Sequence, residues 1–393
     1  MKVLMLGNFA LYFMPRLVAF NQKLKSQGDE LLVIQEADKN KLYGNMPQLD
    51  TKEVAILHFQ EISDSAKPYK QRIIHVLDKF NPDVLITGFV AFPYGAIGLQ
   101  WAKSRNKAIV EYDDQRWNTF PRGKVSTWIK SRIIRNVDTF LCPAPAWDET
   151  LLKWGFKKQE IFYGLDSSDN EFWSQEVDKV SFENLPSSYF MTLGRQGSMK
   201  NLPFFLNAYL EYLKLGGIIP LVMVGDGPDH EMLVSQSNNN PNITFLPFQN
   251  REHIRELFVN MKALVLPSTK VETWGMVVNE CMASGNIVAI SNECGSSTTL
   301  VKDGINGFHF SPYDKNDIVN ALFKIEKLSP IEEQQMHHNS LEIIKDWGVD
   351  RFSKGLYDAC IYALNHKKKV WNPIDFILMK MWKGRFNINE ATK

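Results

Sequence analysis

Short apolar runs alternate with helix-length segments along the first part of the chain. Residues 2–7 form one apolar run, 15–27 follow a helical pattern that Pro15 opens and Gly28 closes, and 31–35 form the next run. Further apolar runs occupy 54–58, 84–87, 108–112 and 139–142. Strands separated by helices in this way predict a parallel sheet covered on both faces.

The same alternation starts again after a polar, turn-rich stretch that follows residue 165. An apolar run at 190–194 leads into a helical pattern that Gly216-Gly217 ends, and further strands are predicted at 218–224, 243–246, 263–266 and 287–290. We therefore predict an α/β protein of two doubly wound, Rossmann-like domains that face each other across a cleft, where ligands bind beyond the carboxyl ends of the strands. The predicted parts are a first domain at 1–170, a linker at 171–188, a second domain at 189–345, a crossover helix at 346–366 and a tail at 367–393.

Composition excludes several classes of protein. The chain has 393 residues, of which 44% are hydrophobic, so neither disorder nor a fibrous repeat is expected. Its 45 basic and 44 acidic residues leave no charge excess of the kind that marks a nucleic-acid-binding protein, and we expect no nucleic acid partner. The 4 cysteines have no zinc-site spacing, so we expect buried, reduced thiols and no metal. Gly7-Asn8 interrupts the apolar start, which favours a first strand over a secretion signal and hence a cytoplasmic protein.

Charge is distributed unevenly along the chain. Residues 176–366 carry 15 basic and 22 acidic residues, whereas 367–393 carry 7 and 2. Residues 115–137 carry 6 basic residues and no acid, interleaved with Trp and Ile. Basic residues beside aromatic ones are typical of segments that an anionic bilayer attracts, and no apolar run reaches the ~18 residues of a membrane span. We predict a peripheral protein on the inner face of the membrane; in the alternative interpretation, the tail is a final helix that packs on the first domain.

Five short motifs follow successive predicted strands of the second domain. They are Gly194-Arg195 with Lys200, Gly225-Asp226-Gly227-Pro228, Pro267-Ser268, the segment from Glu272 to Glu280, and Gly304-Ile305-Asn306-Gly307-Phe308. Taken singly, each is also compatible with an ordinary turn or a solvated loop cation. They contain neither a dinucleotide fingerprint nor a Walker A loop, because the third glycine and the GK[ST] ending are missing.

The segment from Glu272 to Glu280 predicts an anion site. A helix is expected to start near Gly275 at the carboxyl edge of the sheet, where its first N–H groups and its positive end face outward. Arg195 and Lys200 follow a neighbouring strand and supply the cations that a diphosphate needs. Glu280 lies about five residues into the helix, where its carboxylate can accept hydrogen bonds from ribose hydroxyls. Glu272 precedes the helix and lies on the other side of the phosphate, where a sugar is expected.

In combination, these motifs resemble those of the retaining glycosyltransferases of family 4, which have the GT-B fold. The resemblance is close over 190–312 and looser over the whole chain. It implies a retaining, hexosyltransferase-type enzyme of polysaccharide biosynthesis that moves a sugar from a UDP- or GDP-sugar to a glycan or lipid-linked glycan acceptor. It also implies that no metal or other cofactor is required.

The resemblance assigns roles to individual residues. The implied donor site consists of Gly7, Arg195, Lys200, Glu272, Gly275, Met276, Val277 and Glu280. Of these, Arg195, Lys200 and Glu272 are the implied catalytic residues. Arg195 and Lys200 bind the diphosphate and stabilise its charge as it leaves, while the backbone of 275–277 holds its oxygens. Glu280 binds the ribose, and Glu272 binds the hydroxyls of the transferred sugar.

The first domain departs from the family pattern. Gly7 is followed by Asn8-Phe9-Ala10-Leu11 where members commonly have a glycine-rich loop, and Asp113-Asp114 stand where many have a His-Asp pair. In the second domain, Trp274 stands where the family often has Phe. Asp113 and Asp114 either contact acceptor or sugar hydroxyls or are solvent-facing acids that follow a strand.

Two other classes of function stay open at this stage. Nucleotide-sugar epimerases share the two-domain architecture and also bind a diphosphate, although the Glu-x7-Glu pair disfavours them. The other class is a catalytically silent nucleotide-binding subunit, against which the intact set of Arg195, Lys200, Glu272 and Glu280 argues.

Overall fold

The computed structural model describes residues 1–36, 52–59, 68–177 and 185–384, and its first unit, Met1–Ser167, is built on a seven-stranded sheet. The strands are β1 (Lys2–Gly7), β2 (Glu30–Gln35), β3 (Ala55–His58), β4 (Val84–Gly88), β5 (Ala108–Tyr112), β6 (Thr139–Cys142) and β7 (Ile161–Tyr163). They lie in the order β3-β2-β1-β4-β5-β6-β7, and neighbouring strands are parallel. The helices of this part are α1 (Met14–Ser26), α2 (Tyr69–Phe80), α3 (Pro93–Ser104), α4 (Lys124–Ile134) and α5 (Asp148–Trp154).

The second unit, Ser168–Gly348, contains a six-stranded parallel sheet. Its strands are β8 (Tyr189–Leu193), β9 (Leu221–Val224), β10 (Ile243–Leu246), β11 (Met261–Leu266), β12 (Val288–Ser291) and β13 (Gly307–Phe310), in the order β10-β9-β8-β11-β12-β13. Its helices are α6 (Asn170–Trp173), α7 (Leu202–Lys214), α8 (His230–Ser237), α9 (Arg251–Val259), α10 (Met276–Ala283), α11 (Ser297–Leu300), α12 (Lys315–Glu326) and α13 (Pro330–Ile344).

The chain then returns to the first unit with α14 (Val349–Asn365) and α15 (Pro373–Met381). Phe352, Leu356 and Cys360 of α14 are buried in the core of the first unit, where α14 packs against α1 and the sheet. Parts of the predicted linker (178–184) and of the predicted tail (385–393) lie outside the described residues.

The prediction of two doubly wound, Rossmann-like α/β domains is confirmed. Both sheets are buried on both faces because helices cover them, so β4 and β12 are buried along their whole length. The helical pattern after β8 places Phe205, Ala208 and Tyr209 of α7 in the core of the second unit, as predicted. The edge strands β7 and β13 were missed, since runs of three and four residues carry little periodic signal.

Each sheet reverses its strand order once, between β1 and β4 and between β8 and β11. Loops that leave two such strands at their carboxyl ends diverge to opposite sides of the sheet and leave a crevice where ligands bind. In the second unit, these are the loops that carry Lys200 and Glu272. Within the described part of the chain, no helix combines the length and apolar character needed to cross a bilayer.

Candidate functional site

The glycine turn after β9 holds the loop after β8 in place. A Cβ atom on Gly225 would overlap the carbonyl oxygen of Gly194, and one on Gly227 would overlap that of Gln196, so the two backbones approach too closely for any other residue. The buried Gln196 side chain donates to the carbonyl of Gly225 (3.0 Å) and bonds Nδ1 of His230 (2.8 Å). Sequence analysis missed Gln196, because nothing in its local pattern distinguishes it from a surface glutamine.

Lys200 and Glu272 form an ion pair at the crevice between β8 and β11. Nζ of Lys200 lies 2.5 Å from Oε2 of Glu272, and both side chains are largely buried. The hydroxyl of the fully buried Ser268 donates to the same carboxylate oxygen (3.1 Å). The structure thus brings together two predicted catalytic residues and explains the Pro267-Ser268 motif, whose serine orients the carboxylate.

Helix α10 begins next to this pair. Gly275 precedes it with φ +89°, and a Cβ atom there would lie 2.8 Å from Cδ2 of Leu266 and 3.1 Å from Sγ of Cys294. Gly275, the residue that precedes the first turn, has no side chain to cap it, and the helix begins at the carboxyl edge of the sheet. Met276 is half-buried and Val277 is buried. The backbone of 275–277 thus lies at a helix N-terminus on the carboxyl edge of the sheet, the position at which helices commonly bind anions.

The loop after β12 supports the segment between Glu272 and α10. The amide of Gly295 donates to the carbonyl of Glu272 (3.1 Å), and the amide of Ser296 donates to that of Trp274 (3.0 Å). The thiol of Cys294 also donates to the Trp274 carbonyl (3.1 Å). Burial raises the pKa of this thiol to about 12, so it stays a neutral donor.

A buried hydrogen bond ties Trp274 to α10. Its indole Nε1–H donates to Oδ1 of Asn279 (2.7 Å), and its ring packs 5.4 Å from the ring of Trp347. Trp274 is almost fully buried, and a buried indole needs an acceptor that a phenyl ring does not. Sequence analysis noted Trp274 but not its partner, which lies five residues along.

Arg195 and Glu280 are not part of the ion pair that Lys200 and Glu272 form. Arg195 is exposed and forms no ion pair with any residue that the structure describes. Glu280 is half-buried and is the fifth residue of α10, one turn beyond the start of the helix. The sequence therefore assigned four charged residues to the donor site, and the structure joins two of them directly, Lys200 and Glu272.

The Gly304 to Phe308 motif forms the entry to β13. The amide of Gly304 donates to the carbonyl of Gly307 (2.8 Å), and a Cβ atom on Gly307 would overlap the carbonyl oxygen of Val288 in β12. These contacts give the motif a role in pairing the edge strand with the sheet.

In the first unit, aromatic side chains fill the space beside Gly7. A Cβ atom there would overlap the hydroxyl of Tyr112 and would lie 2.9 Å from Cζ of Phe9. Gly7 is the last residue of β1 and lies at the strand-order reversal, where ligands bind in this type of sheet. The space beside its Cα atom is occupied by Tyr112 and Phe9.

Asp113 and Asp114 follow β5, and the charge of Asp114 acts on both Asp113 and Asp166. Burial, followed by the charge of Asp114, raises the pKa of Asp113 well above its usual value. Burial and Asp114 also raise the pKa of Asp166 to about 8, although Nη1 of Arg16 lies 3.8 Å from its carboxylate. A carboxyl group that keeps its proton can donate as well as accept hydrogen bonds, which suits a sugar hydroxyl. Among the described residues, no group of three or more His, Cys, Asp or Glu side chains has the arrangement of a metal site.

Comparison with known proteins supports a glycosyltransferase. Residues 174–342 match the model of the family described as Glycosyl transferases group 1. The uncharacterized glycosyltransferase YqgM of Bacillus subtilis is 29% identical over 118 residues, a match that spans 29% of this chain and only 33% of that protein. The alpha-monoglucosyldiacylglycerol synthase of Streptococcus pneumoniae is 21% identical over 327 residues, which span 78% of this chain and 70% of that protein.

A solved structure extends the comparison to the fold. Sucrose-phosphate synthase from Thermosynechococcus elongatus superposes with a TM-score of 0.71 at 16% identity, covering 91% of this chain and 98% of its own. The fold is therefore of the GT-B type.

Proposed function

We propose that this protein transfers a sugar from a UDP- or GDP-sugar to a hydroxyl group of a glycan or lipid-linked glycan, as a family 4 enzyme that retains the anomeric configuration. The observation that carries the proposal is the Lys200–Glu272 ion pair at the strand-order reversal, beside the start of α10. The proposal is supported by the proximity of a cation, a carboxylate and the start of a helix, the groups that a nucleotide-sugar donor needs. The family match over 174–342 supports the same class of reaction.

In this proposal, the donor diphosphate binds at the start of α10. Lys200 and the exposed Arg195 neutralise its charge, and the backbone N–H groups of 275–277 donate to its oxygens. Glu280 accepts hydrogen bonds from the ribose. Glu272, oriented by Ser268, accepts hydrogen bonds from the transferred sugar.

The proposed reaction proceeds on one face of the sugar. The bond between the anomeric carbon and the diphosphate oxygen breaks with both electrons going to the diphosphate, while the acceptor oxygen forms a bond to the same carbon. The acceptor proton passes to the departing phosphate oxygen, so no protein base is needed. Lys200, Arg195 and the α10 N–H groups stabilise the charge that accumulates on the leaving group.

The acceptor is proposed to bind at the carboxyl edge of the first sheet, where Asp113 and Asp114 hydrogen-bond its hydroxyls. The relative from Streptococcus pneumoniae is named for the synthesis of a glycolipid. We therefore place the reaction at the cytoplasmic face of a membrane and favour a lipid-linked acceptor.

Calorimetry with UDP and GDP tests the donor site directly. Lys200→Ala should abolish or strongly weaken binding of the diphosphate that the wild-type chain prefers. Lys262→Ala is the matched control, because Lys262 forms an ion pair of the same length with Glu333 elsewhere in this unit. Equal affinity for the nucleotide in Lys200→Ala and wild type would reject the proposal.

Product analysis separates the other two classes of function. Incubation with UDP- or GDP-sugars and no acceptor yields an altered sugar if the protein is an epimerase. A silent subunit binds the nucleotide but gives neither hydrolysis nor transfer. A glycosylated product made only with an acceptor supports the proposed enzyme.

A further inference from the structure

Helix α15 is held to the first unit by its polar side. The buried carboxylate of Asp375 lies 2.6 Å from Nε of Arg132 in α4. The side-chain amide of Gln100 in α3 donates to the carbonyls of Met379 (2.8 Å) and Trp382 (2.6 Å). The tail thus docks through an ion pair and backbone hydrogen bonds, with Met379 as its buried apolar contact.

The opposite side of α15 is apolar and faces solvent. Ile374, Ile377 and Met381 have a spacing of three and four residues, which places them in one stripe along the helix. The two isoleucines are about half exposed and Met381 is 72% exposed. A surface helix ordinarily buries such a stripe and leaves its polar side in water, so α15 has the reverse arrangement.

The apolar surface continues onto the neighbouring helix α4. The guanidinium of Arg132, which binds Asp375, lies 5.5 Å above the ring of Trp128. Trp128 is 52% exposed, and Trp371, just before α15, is 83% exposed. The tail surface, as we call it, consists of the exposed side chains Val125, Trp128, Trp371, Ile374, Phe376, Ile377 and Met381.

The exposed charged side chains of the described tail, 367–384, are all positive. Exposed lysines flank the tail surface at positions 124, 367, 369, 380 and 383. Asp375 is the one acid of the described tail, 367–384, and it is buried against Arg132. The described tail therefore presents exposed apolar side chains and ammonium groups but no exposed carboxylate. Such a surface is complementary to a bilayer with anionic headgroups. Aromatic rings and aliphatic side chains insert at the boundary of the acyl chains, and lysines bind the lipid phosphates.

We propose that the tail surface docks the first unit onto an anionic lipid bilayer, with α15 lying in the plane of the interface. This proposal rests on the proposed function only because a lipid-linked acceptor would be located in the bilayer to which the tail surface binds. A large exposed apolar surface rimmed by lysines is otherwise unfavourable in water.

Co-sedimentation of the full chain with lipid vesicles tests the proposal. We expect binding to vesicles of equal parts phosphatidylglycerol and phosphatidylcholine, little binding to phosphatidylcholine alone, and weakening as salt rises. Phe376→Ser with Ile377→Ser should lower the partition coefficient by about tenfold. Lys380→Gln and Lys383→Gln should each lower it by about fivefold.

Matched variants keep the result interpretable. Ile218→Ser with Ile331→Ser removes two exposed isoleucines from the second unit and should leave vesicle binding unchanged. Trp371→Ser alters a side chain that lies outside any helix, so it should weaken binding, by about tenfold, without affecting folding. Nucleotide affinity measured without vesicles should be equal in wild type and in all tail variants, so a failure of the donor-site proposal is seen separately.

Three results would overturn the docking proposal. The first is equal binding to both kinds of vesicle, and the second is full binding by the Phe376 and Ile377 variant. The third is absence of vesicle binding together with self-association that the same substitutions abolish, which would make the tail surface a contact between protein chains.

Discussion

Substitutions of Trp274 and Asn279, which share a buried hydrogen bond, should have energetically coupled effects on stability. This bond links the segment that carries Glu272 to the helix whose first turn forms the proposed anion site. Trp274→Phe removes the indole donor, and Asn279→Leu removes the amide acceptor at nearly constant size. Each single change leaves one buried member of the bond without the other.

The magnitude follows from burial. Both side chains are at most 2% exposed, so loss of one partner should cost about 1–3 kcal/mol of unfolding free energy. Replacing both leaves neither the donor nor the acceptor of this bond behind, so the double variant should lose less than the sum of the two single losses. The double variant should therefore regain most of the loss, a coupling of about 1–3 kcal/mol. In a unit the size of Ser168–Gly348, each kcal/mol corresponds to about 2–4 °C in Tm.

The wild type, the two single variants and the double variant form a double-mutant cycle. Thermal unfolding and sugar-transfer assays should give the same pattern across these four proteins. Both single variants should lose Tm and kcat, because displacement of Trp274 moves Glu272 and the start of α10, and the double variant should recover both. Trp101→Phe, which removes a comparable indole bond to Asp78 in the first unit, should combine additively with Asn279→Leu. Additive losses in the Trp274 and Asn279 pair itself would refute the reasoning.

Three further predictions concern charged residues. Lys200→Ala should lower kcat by about 10²–10³ with little change in Tm relative to Lys262→Ala; near-normal turnover would exclude Lys200 from the donor site. Glu280→Gln should weaken UDP or GDP binding in calorimetry, whereas Glu272→Gln should spare it and lower transfer; equal effects on nucleotide affinity would contradict the assigned positions. Burial raises the pKa of the Asp166 carboxyl from 3.8 to about 8. Between pH 4 and pH 8, the unfolded chain therefore loses the carboxyl proton of Asp166 while the folded chain keeps it. As a result, the free energy of unfolding falls as the pH rises to 8. Asp166→Asn should therefore raise Tm more at pH 8 than at pH 5, and a pH-independent difference would show that the carboxyl is not held protonated.

The second unit was largely predictable from the sequence because backbone geometry dictates its motifs. Gly225 and Gly227 face the carbonyl oxygens of another loop, and that approach excludes every side chain. Lys200 and Glu272 follow strands on either side of the strand-order reversal, so adjacency of their strands brings them together. Local rules of strand, turn and helix start were sufficient for this part.

Other features depend on contacts between residues distant in sequence. Gln196 became recognisable as a structural residue only through its bonds to Gly225 and His230, 29 and 34 positions away. The orientation of α15 depends on Arg132, which lies 243 positions before Asp375. The periodicity of nine residues predicts a stripe but not the side on which the rest of the protein lies.

The glycines of the two units differ in what requires them, and this makes the proposed donor site easier to predict from sequence than the proposed acceptor site. At Gly225 and Gly227, glycine is required by backbone atoms of another loop, which are the same in every sequence with this loop pairing. At Gly7, glycine is required by the side chains of Tyr112 and Phe9, which can change together with it. A site edged by exchangeable side chains can be adapted to new acceptors without disturbing the sheet below it. If the acceptor binds at the carboxyl edge of the first sheet, as proposed, its identity depends on the side chains of Tyr112, Asp113 and Asp114 themselves, and not on any motif that a glycine marks.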